Sequence, residues 1–235
     1  MRIMMTLQHD ADAASIDDYL AARGVRVLGR ELLDPEEAAI LSVAGHDAPV
    51  LERARSGLSA VWIVDVPSRA DAIELAKGAP GSEGTLEVRE AFTPQDFGAP
   101  ADAPSPPPPP IQAGKRRYIA LVRNDAIADA IERPPDRVLA QMDEYCAPMA
   151  ADGTMIGGQG LKSSARGARI RRAAAQRFVL DGPFTESKEL VGGYMLLQAR
   201  TLDDAIDAIR PWLRIHHEGL DLQSSAIEVR GLSID

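Results

Sequence analysis

A single cysteine, Cys146, stands in 235 residues. That excludes an internal disulfide and a thiolate metal cluster, and it fits a reducing cytoplasm. Aromatic residues are scarce, at 4% against 45% hydrophobic, so the cores must be built from aliphatic side chains and alanine. No apolar run approaches the ~20 residues a membrane span needs. Met1 to Ala13 lacks the long apolar stretch of a signal peptide. Positive charge is short in the first half: residues 1–113 carry 9 Lys+Arg against 18 Asp+Glu, a net of −9, while 114–235 carry 17 of each. So acidic a chain is a poor ligand for phosphate backbones. There is no Walker loop, dinucleotide glycine motif or Gly-x-Ser-x-Gly elbow. These absences lead us to expect a soluble cytoplasmic protein with no cofactor, no nucleic-acid partner and no membrane partner.

What is present is a pattern written twice. Gly24 to Leu32 returns in outline as Gly153 to Leu161, Ser68 to Ile73 as Thr201 to Ile206, and Leu86-Glu87-Val88-Arg89 as Ile227-Glu228-Val229-Arg230. The order is kept, and the proline run Pro106 to Pro110 lies between the copies. Ordered self-similarity of this kind signals repeated structural units. We expect a first domain over 1–98, a proline-rich linker over 99–114 and a second domain over 115–235. Proline favours an extended spacer there, a tether between copies in preference to a docking site for a proline-recognition domain.

Each copy reads as strand, helix, strand, hairpin, helix, strand. Ser15 is expected to cap a first helix that Gly24 ends, and Gly153 to stop a helix over Asp136 to Ala150. Ser68 with Asp71, and Thr201 with Asp204, have capping-box character. The helices they start are expected to run to Lys77 and to Ile209. Two helices flanking one face of alternating strands indicate an α+β sandwich of the ferredoxin-like kind. We expect two such domains, of the dimeric α/β-barrel type, packed as an intrachain pseudo-dimer, with a homodimer beyond it also possible.

The most distinctive stretch is Asp181-Gly182-Pro183-Phe184, followed by Thr185-Glu186-Ser187-Lys188-Glu189 and Gly192-Gly193-Tyr194. Together with Gly157-Gly158-Gln159-Gly160-Leu161, it resembles the YCII-related proteins of the DGPF type. The resemblance covers nearly all of 115–232 and is weaker in the first copy. It implies a ferredoxin-like fold and face-to-face sheets. Some relatives in the wider superfamily are small-molecule enzymes sharing a His–Asp pair, but this chain has no histidine between Asp136 and Ala150. The DGPF type is also associated with extracytoplasmic-function sigma-factor systems.

Three functions follow: a binder of an unknown small molecule, an acid–base enzyme of lyase or isomerase type using Asp181, or an interaction module linked to sigma-factor signalling. Asp181 is the candidate general base, against a turn role in which its carboxylate accepts backbone N–H bonds. Gly158, Gly160, Phe184, Glu186, Lys188 and Tyr194 are the candidate ligand contacts. Asp47-Ala48-Pro49-Val50 is either a decayed copy of the motif or a plain hairpin tip. His216-His217 is expected in a solvated loop, because adjacent residues chelate a metal poorly and no third ligand is evident. His9-Asp10 could relay a proton or simply occupy a loop. Arg166, Arg169, Arg171, Arg172 and Arg177 cluster near a hairpin, and we expect them to meet the acidic first copy. Trp62 and Tyr194 suit central strands.

Overall fold

The structure, a computed structural model, describes residues 1–8, 13–98, 110–174, 176–184 and 190–233, with the backbone alone at 26–36 and 233. In chain order the first half gives β1 (Arg2–Gln8), α1 (Ala13–Ala22), β2 (Arg26–Ala44), β3 (Val50–Glu52), β4 (Leu58–Asp65), α2 (Arg69–Gly78) and β5 (Thr85–Glu90). The second gives β6 (Arg116–Asn124), α3 (Ala126–Asp129), α4 (Asp136–Ala151), β7 (Met155–Gly160), β8 (Ala168–Ala173), β9 (Gln176–Asp181), β10 (Leu190–Ala199), α5 (Leu202–Gly219) and β11 (Ser224–Ser233). The protein is α+β, and no described helix is long and apolar enough to cross a membrane.

Two compact units divide the chain, and neither is one half of it. Unit 1 holds Met1–Leu33, Gly57–Phe92 and Leu161–Thr185; unit 2 holds Asp34–Ser56, Thr93–Gly160 and Glu186–Asp235. Each unit therefore takes a hairpin encoded in the other half. Residues 110–114 of the expected linker belong to unit 2, where Gln112 N–H donates to Gln198 Oε1 at 2.7 Å. The rest of the expected linker, 99–109, lies outside the described residues.

In unit 1 the strand order is β2–β4–β1–β5–β8–β9. The pairings are antiparallel. Side chains alternate along a strand, so Ile3, Met5 and Leu7 share a face. They pack with Trp62, Val64, Leu86 and Ile170 under Ile16 and Leu20 of α1 and Leu75 of α2. Trp62 is fully buried, and its indole N–H donates to Asp17 Oδ1 at 2.7 Å. Helix α1 begins at Ala13, so Ser15 lies inside its first turn and not at the cap. Gly24, at φ +63°, follows that helix in the left-handed conformation glycine tolerates.

In unit 2 the order is β7–β10–β6–β11–β2, with β3 paired to β2. Tyr118, Ala120 and Val122 of β6, Ile227 and Val229 of β11, and Leu41 and Val43 of β2 face Ile206, Ile209 and Leu213 of α5. The caps form as expected: Ser68 Oγ accepts from Asp71 N–H at 3.2 Å, and Thr201 Oγ1 from Asp204 N–H at 3.1 Å. Helix α5 corrects the expected stop at Ile209. It runs on through Pro211 to Gly219, carrying Trp212, Leu213, His216 and His217 into burial. Proline removes one backbone donor; here the apolar stripe beyond it outweighs that loss. His216 and His217 are accordingly buried helical residues and not solvated loop residues.

The duplicated Glu-Val-Arg stretches explain themselves. Residues two apart on a strand share a face. On β5, Arg89 Nη1 donates to Glu87 Oε1 at 3.2 Å; on β11, Arg230 Nη1 donates to Glu228 Oε1 at 2.9 Å. All four side chains are almost wholly buried.

Candidate functional site

Unit 2 contains a cavity of about 420 Å³ at the end of β6, the start of β11 and the β2–β3 hairpin. Ser42, Asp47, Arg123, Asn124, Asp125 and Ser225 supply its polar lining. Glu228, wholly buried, holds Arg123 by an ion pair. Glu228 also accepts from Ser56 N–H at 3.0 Å. Burial works to raise the Glu228 pKa, but Arg123, the Ser56 amide and Arg230 outweigh it, and the carboxyl titrates below its ordinary range. Asp125 Oδ1 accepts from Ala128 N–H at 2.8 Å, which caps α3 and fixes that carboxylate. Asn124 packs against Gly192, where any Cβ would overlap the carboxamide; among the described residues its buried Oδ1 has no hydrogen-bond partner. Gly192 of the motif thus makes room for a cavity residue that sequence reasoning missed, while Gly193 lets the β7 backbone approach at Gln159 and Gly160.

His217 lies behind the same wall. Its Nε2 is 2.8 Å from the Gly45 carbonyl oxygen, and its Nδ1 is 3.1 Å from Ser225 Oγ. Beside it, His216 stacks on Trp212 with ring centroids 5.2 Å apart. Burial, with a smaller contribution from His217, pushes the His216 pKa down to about 4 from 6.5. A group whose native pKa is depressed contributes stability that is full above its unfolded value and fades as pH falls towards the native one. Stability should therefore drop between about pH 6.5 and about pH 4, by on the order of 3 kcal/mol for this residue. Denaturant melts across that range should show the slope, and His216→Phe, which keeps the stack, should flatten it.

Asp181 ends β9 in unit 1. Its carboxylate is 70% exposed and pairs with Arg69 of α2, whose Nη2 also donates to Gly167 O at 2.9 Å. Gly182 N–H donates to Gly167 O at 3.2 Å, and Phe184 N–H to Ser164 Oγ at 3.1 Å. Phe184 is buried, with the Arg169 guanidinium 4.3 Å over its ring. Arg169 Nε reaches Glu87 at 2.7 Å, and Arg166 Nε and Lys162 Nζ reach Glu90 at 2.9 and 2.7 Å. Of the arginine cluster, Arg166 and Arg169 thus meet first-half acids within unit 1, while Arg172 and Arg177 donate to the carbonyls of Pro80 and Gly81.

The other sequence candidates are distributed differently. Gly158, Gly160 and Tyr194 belong to unit 2. Gly158 pairs with Met195 and Gly160 with Gly193 across β7–β10, and a Cβ on Gly158 would stand 2.8 Å from Tyr194 O. Tyr194 is buried and its hydroxyl donates to Gln159 Oε1 at 2.9 Å. Asp181 and Phe184 share unit 1, so the candidates do not form one cluster within a unit. Glu186, Lys188, His9 and Asp10 lie outside the described residues. Asp47, read as a hairpin-tip residue, lines the unit 2 cavity.

Antiparallel sheets carrying helices, with a cavity at the strand ends, define a small α+β domain protein. The YCII-related domain model matches residues 118–211. An uncharacterized protein of Rhizobium meliloti (strain 1021) is 30% identical over 95 residues, spanning 40% of this chain and 77% of that one. The chain belongs to the YCII-related family.

Proposed function

We propose that this protein is a duplicated YCII-like chain whose two copies exchange hairpins, and that it binds a small molecule in the unit 2 cavity. The cavity of about 420 Å³ is the observation that carries the binding reading. That size suits a small ligand. Matching caps at Ser68 and Thr201, and matching buried pairs Glu87–Arg89 and Glu228–Arg230, support the duplication. Asp181 as a general base has less support, because its carboxylate is 70% exposed, is paired with Arg69 and does not line the unit 2 cavity.

Native mass spectrometry of protein purified without added ligand should detect a non-covalent adduct on the wild-type chain. Ala48 is an exposed hairpin residue on the cavity lining, so Ala48→Trp should plug the space without touching a core. Loss of the adduct in Ala48→Trp supports the reading; an adduct that persists there sinks it.

An interaction module is the second reading. Phe178, Val179 and Leu180 are all exposed on β9, the last strand of the unit 1 order. Exposed apolar runs on edge strands invite pairing. Val179→Lys should abolish any self-association seen by size-exclusion chromatography with light scattering.

A further inference from the structure

We infer that Ser225 and His217 form a nucleophile–base pair facing the unit 2 cavity, which would act on small, neutral or cationic carboxylic esters. The inference rests on the cavity reading above. The tautomer follows from the partners. A carbonyl oxygen can only accept, so the Gly45 contact at 2.8 Å requires the proton on His217 Nε2. The neutral ring then has a bare Nδ1, and the Ser225 hydroxyl 3.1 Å away must donate to it. Ser225 is one of the residues lining the cavity, and its hydroxyl proton is already directed at a base. Nucleophile, base and a third group orienting the base are the parts that activate a serine. Here the Gly45 carbonyl takes the orienting place, and it would favour the imidazolium when Nδ1 gains a proton. His217 and Ser225 are 4% and 5% exposed, so water competes little for either.

The reaction balances with water alone. Ser225 Oγ bonds to the ester carbonyl carbon while its proton passes to His217 Nδ1. The bond from that carbon to the alcohol oxygen breaks, and the departing alcohol takes the proton from Nδ1. Water then attacks the acyl carbon, giving a proton to Nδ1. The acyl–Oγ bond breaks, Oγ recovers the proton, and a carboxylic acid leaves. Charge sets the substrate class. Glu228 is shared by Arg123 and Arg230, so these three carry one net positive charge, and the Asp47 and Asp125 carboxylates tip the cavity to net negative. An anionic ester is disfavoured.

The full chain would be incubated with phenylmethylsulfonyl fluoride and its peptides mapped by mass spectrometry. A single sulfonyl adduct on Ser225 is expected. p-Nitrophenyl acetate should be hydrolysed, with Ser225→Ala and His217→Gln each losing about 100-fold or more, the usual scale for a positioned base. Circular dichroism would establish that both variants are folded. Mono-p-nitrophenyl succinate should react at least about tenfold more slowly, a modest local charge effect. No adduct on Ser225 of the wild-type chain, or unchanged hydrolysis by folded Ser225→Ala, overturns the pair. Equal or faster turnover of the succinate overturns the substrate class. If the Ala48→Trp adduct test succeeds while Ser225 never labels, the binding site stands and the nucleophile falls; if both fail, both readings fall.

Discussion

Glu228→Gln should destabilise the protein by about 3–5 kcal/mol, the cost of removing one partner from a buried ion pair. Glu228 is wholly buried between Arg123 and Arg230, and it also accepts the Ser56 amide that anchors the chain just after β3. The neutral amide leaves two guanidinium groups with little compensation. The same residue sets a pH signature. Because its native pKa is depressed below the ordinary 4.5, its contribution is complete above that value and disappears as pH falls through the lower native one. Urea melts at pH 7 should show the loss, and the variant should lack part of the wild-type decline below about pH 4.5. Equal stability of variant and wild type at pH 7 would mean the ion pair is not the support described here.

Gly182→Ala should cost about 3 kcal/mol, the upper part of the range for overpacking. A Cβ there would overlap the Ser164 backbone carbonyl, which cannot rotate away as a side chain would. The turn is also tied by Gly182 N–H to Gly167 O and by Phe184 N–H to Ser164 Oγ. Hydrogen exchange should quicken along β8 and β9. Asp181→Asn one residue earlier should cost under about 1 kcal/mol, since exposed ion pairs contribute little. That contrast separates a glycine demanded by close approach from an aspartate at the surface. If both variants melted alike, the packing account of the motif would be wrong.

The local elements were readable in the chain. Trp62 announced a central strand, and Ser68 and Thr201 announced their helices. Long-range placement was not. Leu41 and Val43 have the alternation of any half-buried strand, and nothing local says that they complete a core with Ile206 and Ile209. The stop expected at Ile209 fell short because the packing of Trp212 and Leu213, which carries the helix past Pro211, is not visible in sequence. The Asp181 to Phe184 turn was legible because a turn dictates residue type at Gly182 and Pro183, but it belongs to unit 1 and does not line the unit 2 cavity. The candidate site was invisible where function depends on convergence. Asn124 and Ser225 are unremarkable residues, and His217 drew only a metal question, until β6, β11 and α5 bring them together, although Gly192-Gly193 was a signal that something crowds that strand.

The hairpin exchange also governs the order in which this protein can be finished on the ribosome. Strand β5 pairs with β8, so unit 1 cannot close its sheet until residues as late as Asp181 have emerged. Until then the first-half strands present an unpaired edge and the acids Glu87 and Glu90 without Arg169, Arg166 or Lys162. The nascent chain thus carries charge on the edge that most needs protection from neighbouring chains. A polysome making this protein should hold unit 1 incomplete through most of elongation, and the two units should mature close together in time.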